Sequence, residues 1–275
     1  LAGVADRYGI VVEQVEDEIA AVNVICGATY AGIPAMATTS GGGFALMTEG
    51  VSLAGMMELP IVVMIAMRPG PATGLPTRTA QEDLKLVLYA GHGEFPRAIY
   101  APGTLYQAHV LMRKALETAH KHQTPAFLLI DQYLADLHVT MDAIDDTLRP
   151  IDRCLASDAT AGYQRYAPSE SGISPRAIPG SDAIVISDSD EHTEDGHITE
   201  DLEARIRQHD KRLVKHEGLA KEALPPEYYG PPNAETLLLT WGSTYGPARE
   251  AVDRLNEQKA SVGLLHFAQV WPLHA

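Results

Sequence analysis

The run LPIVVMIAM at residues 59–67 constrains this chain more than any other stretch. It carries no charge, Pro60 stands near its start, and Arg68-Pro69-Gly70 closes it. A bilayer span needs about 20 apolar residues, so the run is about half the required length. Its length and its turn signals suit a strand covered on both faces, where alternation of polar and apolar positions is not expected. A strand of that kind requires neighbouring strands and two covering layers.

The flanking sequence supplies both. Pro34 admits the strand AMATTS, which ends in Gly41-Gly42-Gly43, and Phe44 to Glu58 carries Phe44, Met47, Val51 and Ala54 at helical spacing. Further strands are expected over 9–13, 97–101 and 125–131, and helices over 17–31, 81–89 and 105–120. This alternation predicts an α/β fold with a parallel sheet and helices on both faces. The pattern lapses from Ile151 to Gly180, a stretch rich in Ser, Pro, Gly and Ala. A second, smaller α/β unit then reads as strand AIVIS, a helix over 199–219, strand LLLTW, a helix over 247–258 and strand SVGLLHF. The expected organisation is a first domain at 1–150, a linker at 151–180 and a second domain at 181–275. The chain begins at Leu1 without a Met and stops at VWPLHA, so it reads as part of a longer protein.

Lys and Arg number 21 against 36 Asp and Glu, for a net charge of −15. A general nucleic-acid binder would carry a basic footprint, and an anionic membrane surface would repel this chain. Neither nucleic acid nor membrane is an expected partner. The only cysteines, Cys26 and Cys154, cannot hold a four-cysteine iron–sulfur cluster or a zinc ribbon. With no disulfide framework to read, a reducing cytoplasm is the expected compartment.

Familiar nucleotide, zinc-protease and hydrolase motifs are absent. The acidic run Asp188, Asp190, Glu191, Glu194, Asp195, flanked by His192 and His197, fails as an EF-hand because Thr193 stands where that loop needs Gly; it reads as a solvated loop. His92 in GHGEFPR is a catalytic candidate or simply a polar loop residue. Glu18, at the start of a helix, is a candidate carboxylate, although from spacing alone the commoner role is to complement the helix dipole. TTSGGGF places glycines between a strand end and a helix start, which leaves room for close backbone approach or an anion, or serves tight packing. Arg68 and Thr77 bound the loop RPGPATGLPT after the carboxyl end of the buried strand, where open α/β sheets bind ligands. Arg grips a carboxylate in bidentate fashion, and an ordinary salt bridge is the rival reading.

Taken in order, EDEIAAVNVICGATYAG, ATTSGGGFALMTEG, ELPIVVMIAMRPGPATGLPT, QEDLKLVLYAGHGEFPR and TPAFLLIDQYL resemble the alpha subunit of 2-oxoacid:ferredoxin oxidoreductases, particularly the 2-oxoglutarate type. The resemblance covers nearly the whole chain. The segments DSDEHTEDGH and TWGST to VWPL look like that family's transketolase C-terminal-like domain, after a pyrimidine-type thiamine-diphosphate-binding domain. TSGGG stands where the family usually has TSGPG. The family's YPITPS motif would lie upstream of Leu1, and its gamma-type domain is also missing here.

The resemblance implies thiamine diphosphate as cofactor and oxidative decarboxylation of a 2-oxoacid to acyl-CoA and carbon dioxide, with electrons passing to ferredoxin. It gives Glu18 the role of the carboxylate that drives the cofactor's pyrimidine to its imino tautomer. Ser40, Gly41 and Phe44 join Glu18 in cofactor binding, and Arg68 and Thr77 hold the substrate's carboxylate end. The GDG…N segment that binds diphosphate and Mg²⁺ has no good match, the nearest being Asp195-Gly196. A partner beta subunit is therefore expected to hold Mg²⁺ and the iron–sulfur cluster, making the enzyme a hetero-oligomer that is active only when assembled. The alternatives are a non-catalytic pyrimidine-domain homologue in an assembly or regulatory role, and a free-standing small-molecule-binding α/β protein.

Overall fold

The computed structural model of the chain describes residues 2–144 and 150–274. Leu1 and Ala275, the expected outer limits of the two units, lie outside the described residues. The elements run α1 (Ala5–Tyr8), α2 (Glu18–Tyr30), β1 (Met36–Ser40), α3 (Gly41–Leu46), α4 (Thr48–Met56), β2 (Val62–Met67), α5 (Leu84–Tyr89), β3 (Ala98–Tyr100), α6 (Leu105–His122), β4 (Ala126–Asp131) and α7 (Gln132–Ala135). They continue with α8 (Leu202–Lys221), β5 (Glu227–Tyr229), β6 (Thr236–Trp241), α9 (Tyr245–Glu257), β7 (Val262–Phe267) and β8 (Gln269–Trp271). No helix among the described residues is long and apolar enough to cross a membrane.

The larger sheet has the order β1-β2-β4-β3-β8, parallel throughout except for β8, which pairs antiparallel with β3. The expected α/β fold with a mostly parallel sheet is what forms. In β2, Val63, Ile65 and Met67 enter one core with Phe127 and Leu129 of β4 and Phe44, Met47 and Val51 from the α3–α4 layer. Val62 turns to the other core, with Ala126 and Leu128 beneath Leu111, Ala115 and Ala119 of α6. Both faces are covered, which is why β2 shows no polar alternation. Ile65, Phe127 and Leu129 are each 0% exposed, and burying such a side chain contributes about 1.5–3 kcal/mol.

Side-chain caps fix the helix starts. Asp17 accepts from Ala20 N at 2.8 Å to open α2, Thr104 from Gln107 N at 3.1 Å to open α6, and Asp201 from Ala204 N at 2.7 Å to open α8. Each cap satisfies a backbone donor that has no partner within the helix. The smaller sheet has the order β5-β7-β6, and α9 lays Tyr245 and Val252 against Val262 and Leu264.

Several expected elements differ. The strand at 9–13 does not form: Gly9 ends α1 in the left-handed region at φ 62°, and Val11 is left 83% exposed without a strand beside it. AIVIS is likewise irregular, with Ile184 exposed and the Val185 carbonyl accepting from Tyr30 Oη at 3.0 Å. The helix expected over 44–58 is two, because the chain turns at Met47, whose N–H reaches back to the Phe44 carbonyl. The helix expected from Gln81 begins at Leu84, and its first three expected residues make contacts elsewhere.

The segment 151–180 forms no helix or strand, yet it is packed rather than free. Arg165, Tyr166 and Arg176 are buried in it. Arg165 Nη2 donates to the Glu58 carbonyl at 3.0 Å and Arg176 Nη1 to the Thr29 carbonyl at 2.7 Å. Helix α8, expected within the second domain, lies on this side too, its Leu219 in the α6 core. Glu58, 1% exposed, receives Lys211 Nζ at 2.7 and 3.0 Å and pairs with Lys215, which also donates to the Gln123 carbonyl at 3.0 Å. Burial alone would raise the Glu58 carboxyl, but Lys215, Lys211 and Arg165 outweigh it and hold it well below the usual carboxylate range.

A buried carboxylate paired in this way cannot be removed without leaving ammonium groups unpaired. Glu58→Gln should destabilise the fold by about 3–5 kcal/mol in urea unfolding. Because the folded-state pKa is depressed, the contribution of Glu58 is fully present at neutral pH and is lost as pH falls below about 4. The variant should therefore lose less stability than wild type over that acid range. A loss below about 1 kcal/mol at neutral pH would show that α8 is held by apolar packing alone.

Candidate active site

The register of the larger sheet decides what can meet. Ser40 of β1 is level with Ala66 of β2, and Met67 of β2 is level with Asp131 of β4. The three strands therefore end along one edge. The glycine turn after β1, the loop after β2 and Asp131 at the end of β4 all lie along it. Ligands of open parallel sheets bind at this carboxyl edge.

Glu18 reaches the edge from the first turn of α2. It is half-buried, and its Oε1 accepts from Thr39 Oγ1 at 3.3 Å. A Cβ added to Gly43 would lie 2.1 Å from Thr39 Oγ1 and 2.4 Å from Glu18 Oε1. Only glycine lets the carboxylate settle onto the start of α3, so Glu18 has a seat there beyond the dipole role that spacing alone favoured. Ser40 occupies the cap position of α3 without a side-chain cap hydrogen bond, and Gly41 is buried. Phe44, expected among the cofactor-binding residues, keeps its side chain in the core: it is 0% exposed and meets Phe127 edge-on at 5.6 Å. The apolar core takes its ring and leaves only its main chain near the turn.

Arg68 directly follows β2 and is half-buried, with its Nε enclosed and without a hydrogen-bond partner. The loop after it folds back on itself, Leu75 N donating to the Pro69 carbonyl at 3.1 Å. Gly74 is required there, since a Cβ would stand 1.8 Å from the Pro69 carbonyl oxygen and φ is 52°. Thr77 is exposed on the turn from Leu75 to Arg78, and its hydroxyl forms no hydrogen bond with Arg68 or Glu18. The structure thus brings Glu18, Ser40, Gly41 and Arg68 to one edge and leaves Thr77 on the rim.

Four further residues, not singled out by sequence, bind this edge together. Thr39 supports Glu18. Gln81 Nε2 donates to the Trp241 carbonyl at 2.7 Å, and Glu82 Oε2 accepts from Gly70 N at 2.8 Å. Asp83 lies against Gly41, where a Cβ would meet its Oδ1 at 2.2 Å. Three polar side chains in succession at the start of an expected helix were the available signal.

The other candidates lie apart. His92 is exposed beside a groove of about 390 Å³ that also touches Ser52, Phe95, Glu191 and His209, but neither Glu18 nor Arg68. The acidic loop is only partly solvated. His192 is 0% exposed and stacks on Tyr166 at 3.8 Å, while Glu191 pairs with Arg212 and Arg205. Burial opposes ionisation of Glu191, and the two arginines overcome it, holding the group to about 2. His197 is exposed and pairs with Asp195 at 3.1 Å.

This edge offers a carboxylate that can accept or hold a proton and, nearby, a guanidinium with an unused donor. It suits a ligand that presents a donor to Glu18 and an anionic group to Arg68.

Comparison with known proteins identifies the family. Residues 2–211 match the family described as pyruvate flavodoxin/ferredoxin oxidoreductase, thiamine diphosphate-binding. The chain is 42% identical over 263 residues to 2-oxoacid:ferredoxin oxidoreductase 1, subunit alpha, of Sulfurisphaera tokodaii, a match covering 93% of this chain and 42% of that protein. It is 33% identical to 2-oxoglutarate oxidoreductase subunit KorA of Mycobacterium tuberculosis, over 98% of this chain and 42% of the relative. The chain thus spans less than half the length of these relatives. Among solved structures, the 2-oxoglutarate:ferredoxin oxidoreductase of Magnetococcus marinus, with 2-oxoglutarate, coenzyme A and succinyl-CoA bound, superposes with a TM-score of 0.89 at 34% identity. That match covers 98% of this chain and 48% of the other.

Two glycines in the same layer test whether Glu18 depends on its seat. Gly27 of α2 is exposed, and a Cβ there meets nothing within 4 Å, so Gly27→Ala should stabilise by about 0.5–1 kcal/mol through helix propensity. Gly43→Ala has the same propensity gain but must displace Glu18 and Thr39, and should lower the melting temperature instead. If both substitutions raise it, the carboxylate is not held on the turn.

Proposed function

The chain belongs to the thiamine diphosphate-binding family of pyruvate flavodoxin/ferredoxin oxidoreductases, and from that premise we propose that it is the pyrimidine-holding part of the alpha subunit of a 2-oxoacid:ferredoxin oxidoreductase. The proposed reaction is oxidative decarboxylation of a 2-oxoacid, 2-oxoglutarate ahead of pyruvate, to acyl-CoA and carbon dioxide, with electrons delivered to ferredoxin. One observation carries this reading: a carboxylate seated on glycine and an arginine with an enclosed, unpartnered Nε share one sheet edge. The 2-oxoglutarate preference rests on the names of relatives such as the Mycobacterium tuberculosis and Magnetococcus marinus proteins.

Thiamine diphosphate, when bound, supplies carbanion chemistry at the 2-oxo carbon. The residues present fit its pyrimidine end. Gly43 carries no side chain to obstruct the Glu18 carboxylate, and Thr39 holds one of its oxygens, leaving the other to accept from the ring. Glu18 then holds or moves a proton at the pyrimidine, as a general acid–base group does. Ser40, Gly41 and the main chain of Phe44 border the same space. Arg68 grips the substrate carboxylate, and Thr77 adds a hydroxyl donor from the loop's outer turn.

A partner beta subunit completes the site. Helix α2 is apolar on nearly all sides, and it leaves Ile19, next to Glu18, and Val24 further along each about half exposed. A helix of that composition is normally covered. In this reading the partner covers it and brings Mg²⁺, the diphosphate anchor and the iron–sulfur cluster, in a cytoplasmic hetero-oligomer that also meets coenzyme A. Residues 1–150 form the pyrimidine-type part, and the unit carrying the three-stranded sheet forms the transketolase C-terminal-like part.

Two measurements test the assignment. In the assembled enzyme, Glu18→Gln should lower kcat by about 10²–10⁴-fold with modest change in KM, whereas Arg68→Lys should raise KM and largely preserve kcat. Near-full turnover in Glu18→Gln would remove the cofactor-activating role. Separately, the alpha subunit alone should bind thiamine diphosphate weakly in calorimetry and tightly once the beta subunit is added. Tight Mg²⁺-dependent binding without the partner would overturn the division between subunits.

A further inference from the structure

The residue after the Gln81–Glu82 tether has no part in the function argued so far. Asp83 stands at the cap position of α5, where an aspartate normally accepts from the helix's first donors, yet its side chain makes no cap hydrogen bond. Instead the carboxyl group is packed against Gly41 of the cofactor turn. Its Oδ2 is enclosed and has no hydrogen-bond partner. Arg68, the neighbouring cation, lies near enough to be felt by Asp83 but forms no salt bridge with it, and its own Nε is also enclosed and unpartnered. The segment that carries Asp83 is held to the loop that carries Arg68 by the Glu82–Gly70 hydrogen bond of 2.8 Å, so an unused acceptor and an unused donor are both present at the carboxyl edge.

We propose that Asp83 is a substrate-binding residue beside the Arg68 grip: its carboxyl group opposes an incoming substrate carboxylate while ionised and assists it once protonated, so that substrate binds together with one proton taken from solvent. This rests on the reading of Arg68 as the carboxylate grip. A second anion beside Arg68 repels an ionised Asp83, and that repulsion is relieved when Asp83 is neutral. The neutral acid also becomes a donor, able to make a short charge-assisted hydrogen bond to the substrate. Burial, followed by the negative charge of Glu82 on the same segment, raises the Asp83 carboxyl, while Arg68 from the β2 loop lowers it; burial wins. The glycine turn facing Asp83 carries no charge. The site is therefore poised for Asp83 to accept a proton when a further negative charge arrives.

The test is the pH dependence of KM for 2-oxoglutarate in the assembled enzyme, with kcat followed separately, between about pH 5.5 and 8. Uptake of one proton makes KM rise with pH, by about tenfold per unit where the dependence is steepest. Asp83→Asn is neutral at every pH and should flatten the profile to within about twofold, near the wild-type value at low pH. A purely structural Asp83 would leave the slope in place and shift stability only. A flat wild-type profile needs no variant and overturns the proposal, as does an unchanged slope in Asp83→Asn. Arg68→Lys separates the two levels of the argument. If it raises KM while Asp83→Asn keeps the wild-type slope, only the Asp83 role fails; if it leaves KM at the wild-type value, the carboxylate grip fails and the Asp83 role with it.

Discussion

Parallel pairing of β1, β2 and β4 is the constraint on which everything else depends. Parallel neighbours cannot be joined by tight hairpins, so each connection must cross a face of the sheet, and the covering layers follow from that. The same alignment makes the strands end together, Ser40 beside Ala66 and Met67 beside Asp131. Residues far apart in the chain thereby open onto one edge. A shift of one residue in β2 would carry Val63, Ile65 and Met67 out of register with their core and move Arg68 relative to the glycine turn.

The edge is useful only if the layers around it are rigid, and two polar devices provide this. On one side, Glu58 binds Lys211 and Lys215 of α8 and, through its carbonyl, Arg165 of the irregular segment. At the edge itself, Gln81 and Glu82 fasten the β2 loop to Trp241 and to Gly70. The smaller sheet is thus tied to the loop that carries Arg68, and Asp131 reinforces the joint through its hydrogen bond with Ser243.

Much of this could be read in the sequence, for identifiable reasons. The apolar run of β2 and the residues at helical spacing over 105–120 are local signals, and each produced the element expected of it. The failures are equally physical. Residues 9–13 and AIVIS have strand-like composition but no neighbouring strand to pair with, and pairing is a property of the whole fold. The stretch at 151–180 is irregular, as its Ser, Pro and Gly content suggests, but the burial of Arg165 and Arg176 within it is not visible in the sequence. The direction of the Phe44 side chain is not legible either, because a residue beside the glycines can point outward or to the core, and only Phe127 across the interior decides which. Glu18 and Arg68 were singled out by residue type, whereas the supporting roles of Thr39 and Asp83 depend on distances of a few ångströms that no spacing rule encodes.

The central claim is that the seated Glu18 carboxylate is what meets the cofactor. The most direct measurement is an experimental structure of the assembled enzyme with thiamine diphosphate bound. The account predicts the Glu18 carboxylate within hydrogen-bonding distance of a pyrimidine ring nitrogen, still supported by Thr39 and still resting on Gly43. A pyrimidine ring bound away from this edge, with Glu18 facing solvent or a partner side chain, would contradict it.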